Sequence, residues 1–154
     1  MKKNEEKNIT TNRKAFHDYT ILERIEAGIE LKGTEVKSLR AGHGSLKESY
    51  AKIVNGEIFL IKSHIPLYEH GGFDNHKPER DRKLLLHKKE IRRLKRNVDI
   101  KGASLIPLKM YFNNMGKVKI ELGLAKGKRQ YDKRAALAAR DAKREIDRLR
   151  KDSY

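Results

Sequence analysis

The chain lacks cysteine and tryptophan altogether and has only three prolines in 154 residues. Without cysteine, neither a disulfide nor a thiolate metal site can form. That suits a reducing compartment. No apolar run approaches the roughly 18 residues that a membrane span requires. The opening segment, MKKNEEKNIT, has no apolar stretch of the signal-peptide kind. A cytoplasmic protein is therefore expected. Apolar residues are few as well, at 37% against 38% charged. One compact core can be built from them, with segments left outside it.

Positive charge is what the chain has in excess. Its 37 Lys and Arg against 21 Asp and Glu give a formal net charge of +16. Such a charge repels itself unless an anionic partner relieves it, and nucleic acid is the commonest such partner. A membrane surface fits less well. Basic helices that lie on membranes carry Trp, Phe or Leu on the apolar face. This chain has no Trp, and its last thirty residues have no Phe.

Residues 1–12 are polar, charged and aperiodic, and read as a flexible basic arm. In DYTILERIEAGIEL, the two- and four-residue spacing of Tyr19, Ile21 and Ile25 predicts a strand. GTEVKSLRAGHGS predicts a short helix opened at Gly33-Thr34 and closed at Ala41-Gly42. Two β-branched and aromatic runs flank Asn55-Gly56, which predicts a hairpin with a type I′ turn. PLYEHGGFDNHKPERD has the composition of a long, mobile loop. RKLLLHKKEIRRLKRNV switches to helical spacing, with Leu84, Ile91, Leu94 and Val98 on one stripe and a strongly basic remainder. ASLIPLKMYF and KVKIELGLAK predict a second hairpin across Asn113 to Gly116. There Val118, Ile120, Leu122 and Leu124 face the core, and Lys117, Lys119, Glu121 and Gly123 face water. Pro107 belongs at an edge or a bulge. Five or six short strands with flanking helices suggest a mainly β fold, a small OB-like antiparallel barrel over residues 13–125. Closing the sheet removes its exposed edges. A helix-on-sheet sandwich is the alternative.

Residues 126–154 form a basic tail. On a helical wheel, Lys133, Arg140, Lys143, Arg144, Arg148 and Lys151 share an arc of roughly 140°. Opposite them lie alanines with only two large apolar residues, Ile146 and Leu149. Burying those two yields about 1.5–3 kcal/mol each. Ordering the backbone costs about 1–2 kcal/mol per residue. The tail is therefore expected to be disordered or frayed when free and helical on a phosphate-rich partner. At its start, Lys126, Lys128, Arg129, Lys133 and Arg134 surround Tyr131. Cations there can meet phosphates while the ring stacks on an unpaired base.

Catalytic readings are weak. His64, His70 and His76 are six apart, on no common helix face, and no cysteine completes a metal site. His17-Asp18 could orient an imidazole, but no nucleophile motif accompanies it. A metal-dependent nuclease needs a carboxylate cluster, and the acids here are scattered. GIELKGT has the glycine spacing of a phosphate loop but no Lys before its Thr. No enzyme activity, cofactor, metal or small-molecule substrate is expected.

The stretches NRKAFHDY, EAGIELKGTEVKSLRAG, ESYAKI, RDRKLLLHKKEI and KVKIELGLAKGKRQYDKR, with the basic tail after them, cover most of the chain. In that order they resemble the SmpB family, the SsrA-binding proteins of bacterial trans-translation. The resemblance implies an RNA-binding adaptor, monomeric when free. Its OB-like barrel would bind the tRNA-like domain of transfer-messenger RNA (tmRNA) and deliver it to stalled ribosomes. Its tail would occupy the decoding centre and the empty messenger channel, becoming helical there. Carried over residue by residue, it implies RNA contacts at Asn12, Arg13, Lys14 and His17, at Lys37, and at Lys126 and Lys128. Phe16 stands where the family often has a basic residue, so one phosphate contact is missing there. Glu26 matches an acidic RNA-binding position. A carboxylate there must accept from a base edge or orient a nearby cation. Leu85 or Leu86 matches an exposed apolar contact, although the LLL pattern alone reads as core. Lys119 matches a basic contact. Arg129, Tyr131, Asp132, Lys133, Arg134, Arg140, Lys143, Arg144, Arg148 and Lys151 fall in the ribosome-binding tail. Lys77 and Glu79 depart from the usual loop pattern. The competing reading is another basic, ribosome-associated RNA-binding protein.

Overall fold

Asn55 and Gly56 both have positive φ, 51° and 78°, as a type I′ turn requires. They join β3 (Tyr50–Val54) to β4 (Glu57–Ile61). The second hairpin joins β6 (Ser104–Phe112) to β7 (Val118–Gly127), with Gly116 at φ 76° in its turn. The remaining elements are β1 (Lys7–Thr11), α1 (Arg13–Asp18), β2 (Tyr19–Ile29), α2 (Gly33–Arg40), β5 (Arg82–Leu85) and α3 (Lys88–Lys101). In this computed structural model the described residues are 6–128, Arg140, Lys143, Arg144, Ile146 and Arg148.

All pairings are antiparallel, and they close on themselves in the order β6–β3–β4–β5–β2–β7–β6. A closed sheet has no free edges along its ring, in keeping with the OB-like expectation. The weakest seam is β3–β6, which meets at Ala51 and Leu105 alone. Strand β1 is added outside the ring, against the far half of β6. Register slips at Ile21/Glu23 on β2 and at Pro107/Lys109 on β6. Pro107 thus sits at a bulge, where its missing N–H costs nothing.

Inward-facing Ile58, Leu60, Leu84, Met110, Ile120 and Leu122 fill the ring, and α3 adds Ile91 and Leu94 to the same core. A smaller cluster of Ala15, Ile106, Leu108 and Ala125 lies under α1. This second cluster breaks the expected in–out alternation of β7. Past Leu122 both faces are covered, so Gly123 is buried rather than wet. A Cβ on Gly123 would stand 2.9 Å from Leu108 Cδ1.

Several sequence expectations need correction. Residues 7–11 of the expected flexible arm form β1, because β6 offers an unpaired outer edge over Lys109–Phe112. Helix α1 has no amphipathic stripe long enough to detect, and its start depends on the Asn12 cap. Leu84 belongs to β5, and the following helix begins only at Lys88, after His87 and Glu90 form a capping box. The first two residues of the expected tail, Lys126 and Gly127, are the last two of β7 and pair with Thr20 and Tyr19.

The segment between β4 and β5 is a tethered loop. Asn75 bonds both backbone groups of Tyr68, accepting at 3.2 Å and donating at 2.7 Å. Buried His76 donates Nε2–H to the Ile65 carbonyl at 2.8 Å, and its Nδ1 lies 2.9 Å from the Thr34 hydroxyl. Arg82, fully buried at the start of β5, donates to Glu35 of α2 at 2.5 Å and to the Pro78 and Ser63 carbonyls. Arg80 also donates to Glu35, at 2.5 Å. Burial pushes the Glu35 carboxyl up. Hydrogen bonds from Arg80 and the Lys32 backbone, with the Arg82 charge, outweigh it and hold the pKa below its usual value. Burial pulls Arg82 down, and Glu35 offsets part of that.

Candidate nucleic-acid interface

Side chains alternate across a strand, so register decides which of them share a face. Leu85 of β5 stands opposite Gly28 of β2, Gly28 opposite Lys119 of β7, and Lys119 opposite Tyr111 of β6. Asn8 of β1 continues that row. One step along the strands, Glu26, Glu121 and Lys109 form a second row on the same outward side. Three residues named from the sequence, Glu26, Leu85 and Lys119, are thereby brought onto one wall of the barrel from three strands.

The chemistry of this wall is mixed. Leu85 is 47% exposed, an apolar platform that packs over Gly28, where a Cβ would stand only 3.1 Å from Leu85 Cβ. Among the described residues, Lys119 has no carboxylate partner. Glu121 has two cations beside it, Arg24 at 3.2 Å and Lys109 at 3.9 Å. Glu26 accepts a hydrogen bond from the buried Tyr111 hydroxyl. Burial, and then that bond, hold the Tyr111 phenol well above its usual value. The Lys109 ammonium lies 5.1 Å from the Tyr111 ring centre. A fixed carboxylate, a free ammonium and an exposed leucine can together meet a base edge, a phosphate and a sugar or base face.

Leu86 does not belong to this wall. It is half-buried and packs against the core, so of the two leucines Leu85 is the exposed one. Arg24, Lys109 and Tyr111 were missed by sequence reasoning. The alternation of β2 and β6 carries their signal, but only the register joins them to Glu26 and Lys119.

A second group surrounds α1. Arg13, Lys14 and His17 are exposed. Lys14 pairs with Glu48 at 2.8 Å, and His17 Nδ1 lies 2.9 Å from Asp18. Lys128 donates to the Phe16 carbonyl at 3.1 Å, which holds the exit of β7 against α1. Lys126 is half-buried opposite Thr20. Phe16 serves as a shelf for the Arg24 guanidinium, 5.3 Å from its ring centre, and so links α1 to the wall. A cleft of about 390 Å³, lined by Lys14, Tyr19, Glu48 and Tyr50 among others, lies between α1, β3 and β6.

Asn12 differs from its expected role. It is buried, caps α1 by accepting from the Ala15 N–H, and donates to the Pro107 carbonyl at 2.9 Å. Its polar atoms are consumed by the fold rather than offered to RNA. Lys37 lies on α2, with its ammonium 5.5 Å from the Tyr68 ring centre. In the tail, Arg140, Lys143, Arg144 and Arg148 are helical and exposed, as is Ile146. Their offsets of three, four and eight positions are those of one helix face. Arg129, Tyr131, Asp132, Lys133, Arg134 and Lys151 lie outside the described residues.

Comparison with known proteins adds an independent line. The family model for SmpB protein matches residues 9–152. The SsrA-binding protein of Caldicellulosiruptor bescii is 60% identical over 98% of this chain and 95% of its own length. The SsrA-binding protein of Acetivibrio thermocellus is 57% identical over all of this chain and 99% of its own. A solved structure described as "tmRNA-SmpB: a journey to the center of the bacterial ribosome" is 55% identical. It covers 77% of this chain and 82% of its own, at a TM-score of 0.65. On these matches and this fold, the chain belongs to the SmpB protein family.

Proposed function

We propose that this chain is an RNA-binding adaptor of trans-translation. Its barrel binds the tRNA-like domain of tmRNA and carries it to stalled ribosomes. The observation that carries the assignment to a surface is the row Leu85–Gly28–Lys119–Tyr111, with Glu26 fixed beside it. Lys119 meets a phosphate, Glu26 accepts from a base edge, and Leu85 packs on a base or sugar. Arg13, Lys14, His17, Lys126 and Lys128 extend the contact around α1. Lys14 exchanges Glu48 for a phosphate when RNA arrives.

The division of labour places the tail, after Lys128, in the decoding centre and the empty messenger channel. The helical, exposed Arg140, Lys143, Arg144 and Arg148 present a cationic face to ribosomal RNA. The protein works in the cytoplasm as a binding module without turnover of its own.

Binding of the full chain to the tRNA-like domain and to an ordinary tRNA, at matched moderate salt, tests the reading. Clear preference for the tRNA-like domain supports it, and equal affinity refutes it. Stopping the chain after Arg129 tests the tail. Selective RNA binding should survive while peptide tagging on stalled ribosomes is lost. Intact tagging would remove the tail's role.

A further inference from the structure

Helix α3 is cationic where helix stability argues against it. Lys88 and Lys89 fill its first two positions after the His87 cap, where the helix dipole favours acids and repels cations. At 100° per residue, Lys95, Lys88, Arg92, Arg96, Lys89 and Arg93 span an arc of about 160°, turned away from the buried Ile91 and Leu94. Lys88, Arg92 and Arg96 are spaced four apart, as like charges that repel along a helix. Arg93 pairs with Glu23. Among the described residues, Lys88, Lys89, Arg92, Lys95 and Arg96 have no carboxylate within ion-pair distance. Asp99 is the one acid within that arc.

Register also places this face away from the wall described above. Glu23, the anchor of Arg93, aligns on β2 with Leu124, and it shares its side of the strand with Ile25 and Ala27, which pack with the core. Arg24 and Glu26 point the other way, by the two-residue period of the pleat. An RNA lying on the wall therefore leaves the outward face of α3 uncovered.

We infer that Lys88, Lys89, Arg92, Lys95 and Arg96 form a second RNA-backbone surface, which grips a ribosomal RNA segment while the wall holds the tRNA-like domain. The inference rests on the adaptor reading above. Phosphates supply the missing counter-charges and relieve the repulsion along α3. No base is read, because the face consists of flexible cations that meet phosphates, so binding there depends on salt and shape.

The test uses the full chain with all five residues changed to Gln (K88Q, K89Q, R92Q, K95Q, R96Q). These side chains are exposed, and circular dichroism with thermal melting verifies the fold. Affinity for the isolated tRNA-like domain should stay within roughly twofold. Affinity of the tmRNA complex for ribosomes should fall about tenfold or more, and its logarithmic salt slope should shrink by about 3. The R92K, R96K double variant should bind ribosomes like wild type, because charge suffices. Unchanged ribosome affinity and slope in the five-site variant would overturn the inference. So would an equal loss of tRNA-like domain binding, which would merge α3 with the wall. Binding of wild type to phosphatidylserine vesicles that is lost in the variant, with ribosome affinity intact, would assign the face to a membrane instead. If wild type itself shows no preference for the tRNA-like domain, the adaptor reading fails. That outcome is distinct from a selective wild type and an indifferent variant.

Discussion

The Tyr111 hydroxyl donates a hydrogen bond to the Glu26 carboxylate from β6 to β2, across the intervening strand β7. If the wall binds RNA as proposed, the bond gives its acid a fixed place there. Glu26 is anchored from behind, so its remaining lone pairs point in a set direction. Tyr111→Phe should keep the fold and lower affinity for the tRNA-like domain about three- to tenfold, the worth of one hydrogen bond. Fluorescence anisotropy measures it, and unchanged affinity would leave Glu26 without need of its anchor. Spectroscopic titration of the phenol gives a second check. Its ionisation, held well above the usual value by burial and then by Glu26, should move down in Glu26→Gln.

The Glu35–Arg82 pair should behave as a buried ion pair broken from one side. Arg82→Met leaves the buried Glu35 with Arg80 as its remaining cation and strips several carbonyls of a donor. The expected loss is about 3–5 kcal/mol, read by urea unfolding. A loss no greater than that of an exposed arginine would contradict the network's role.

The same pair predicts a pH dependence. Glu35 has a folded pKa below its ordinary 4.5. Its contribution to stability is thus fully present above that value and is lost as pH falls through the lower folded one. Melting temperatures taken from about pH 6 down to about pH 3 should fall less steeply in Glu35→Gln than in wild type. Parallel curves would mean that other carboxylates govern the acid limb.

Asn12→Ala should cost about 2 kcal/mol, because α1 loses its cap and the buried Pro107 carbonyl loses a donor. Well below the melting temperature, RNA affinity should change by no more than roughly twofold, since the side chain faces the fold. A large affinity loss without destabilisation would restore Asn12 as a direct RNA contact.

Gly123→Ala places a methyl group 2.9 Å from Leu108 Cδ1, and Leu108 is itself fully buried. Overpacking of this kind costs about 1–3 kcal/mol. A neutral substitution would show that the second cluster under α1 can yield.

Much of the fold was legible because its signals are local. Asn55-Gly56 needs only its own backbone preference to announce a hairpin, and Val118 to Leu122 announce their buried side by alternation. What was not legible depends on register and on long-range partners. Residues 7–11 carry no apolar period, and they become a strand only because β6 has an edge to spare. The triple leucine splits three ways, with Leu84 in the core, Leu85 on the wall and Leu86 packed beneath it, as β5 ends and α3 begins. Family resemblance named Glu26 and Lys119 without explaining their proximity. The pairings of β7 with β2 and β6 bring them together. The cap role of Asn12 was not legible because a short polar residue suits a helix cap as well as an RNA contact.

The wall formed by β5, β2, β7 and β6 is the surface proposed to select the tRNA-like domain of tmRNA. The most direct measurement compares wild type with the Leu85→Ser, Lys119→Gln double variant for binding to that domain and to an ordinary tRNA. Both side chains point outward, so thermal melting should be nearly unchanged. Affinity for the tRNA-like domain should fall about tenfold or more, with little change for the ordinary tRNA. Wild-type affinity and preference in a folded double variant would contradict that role of the wall.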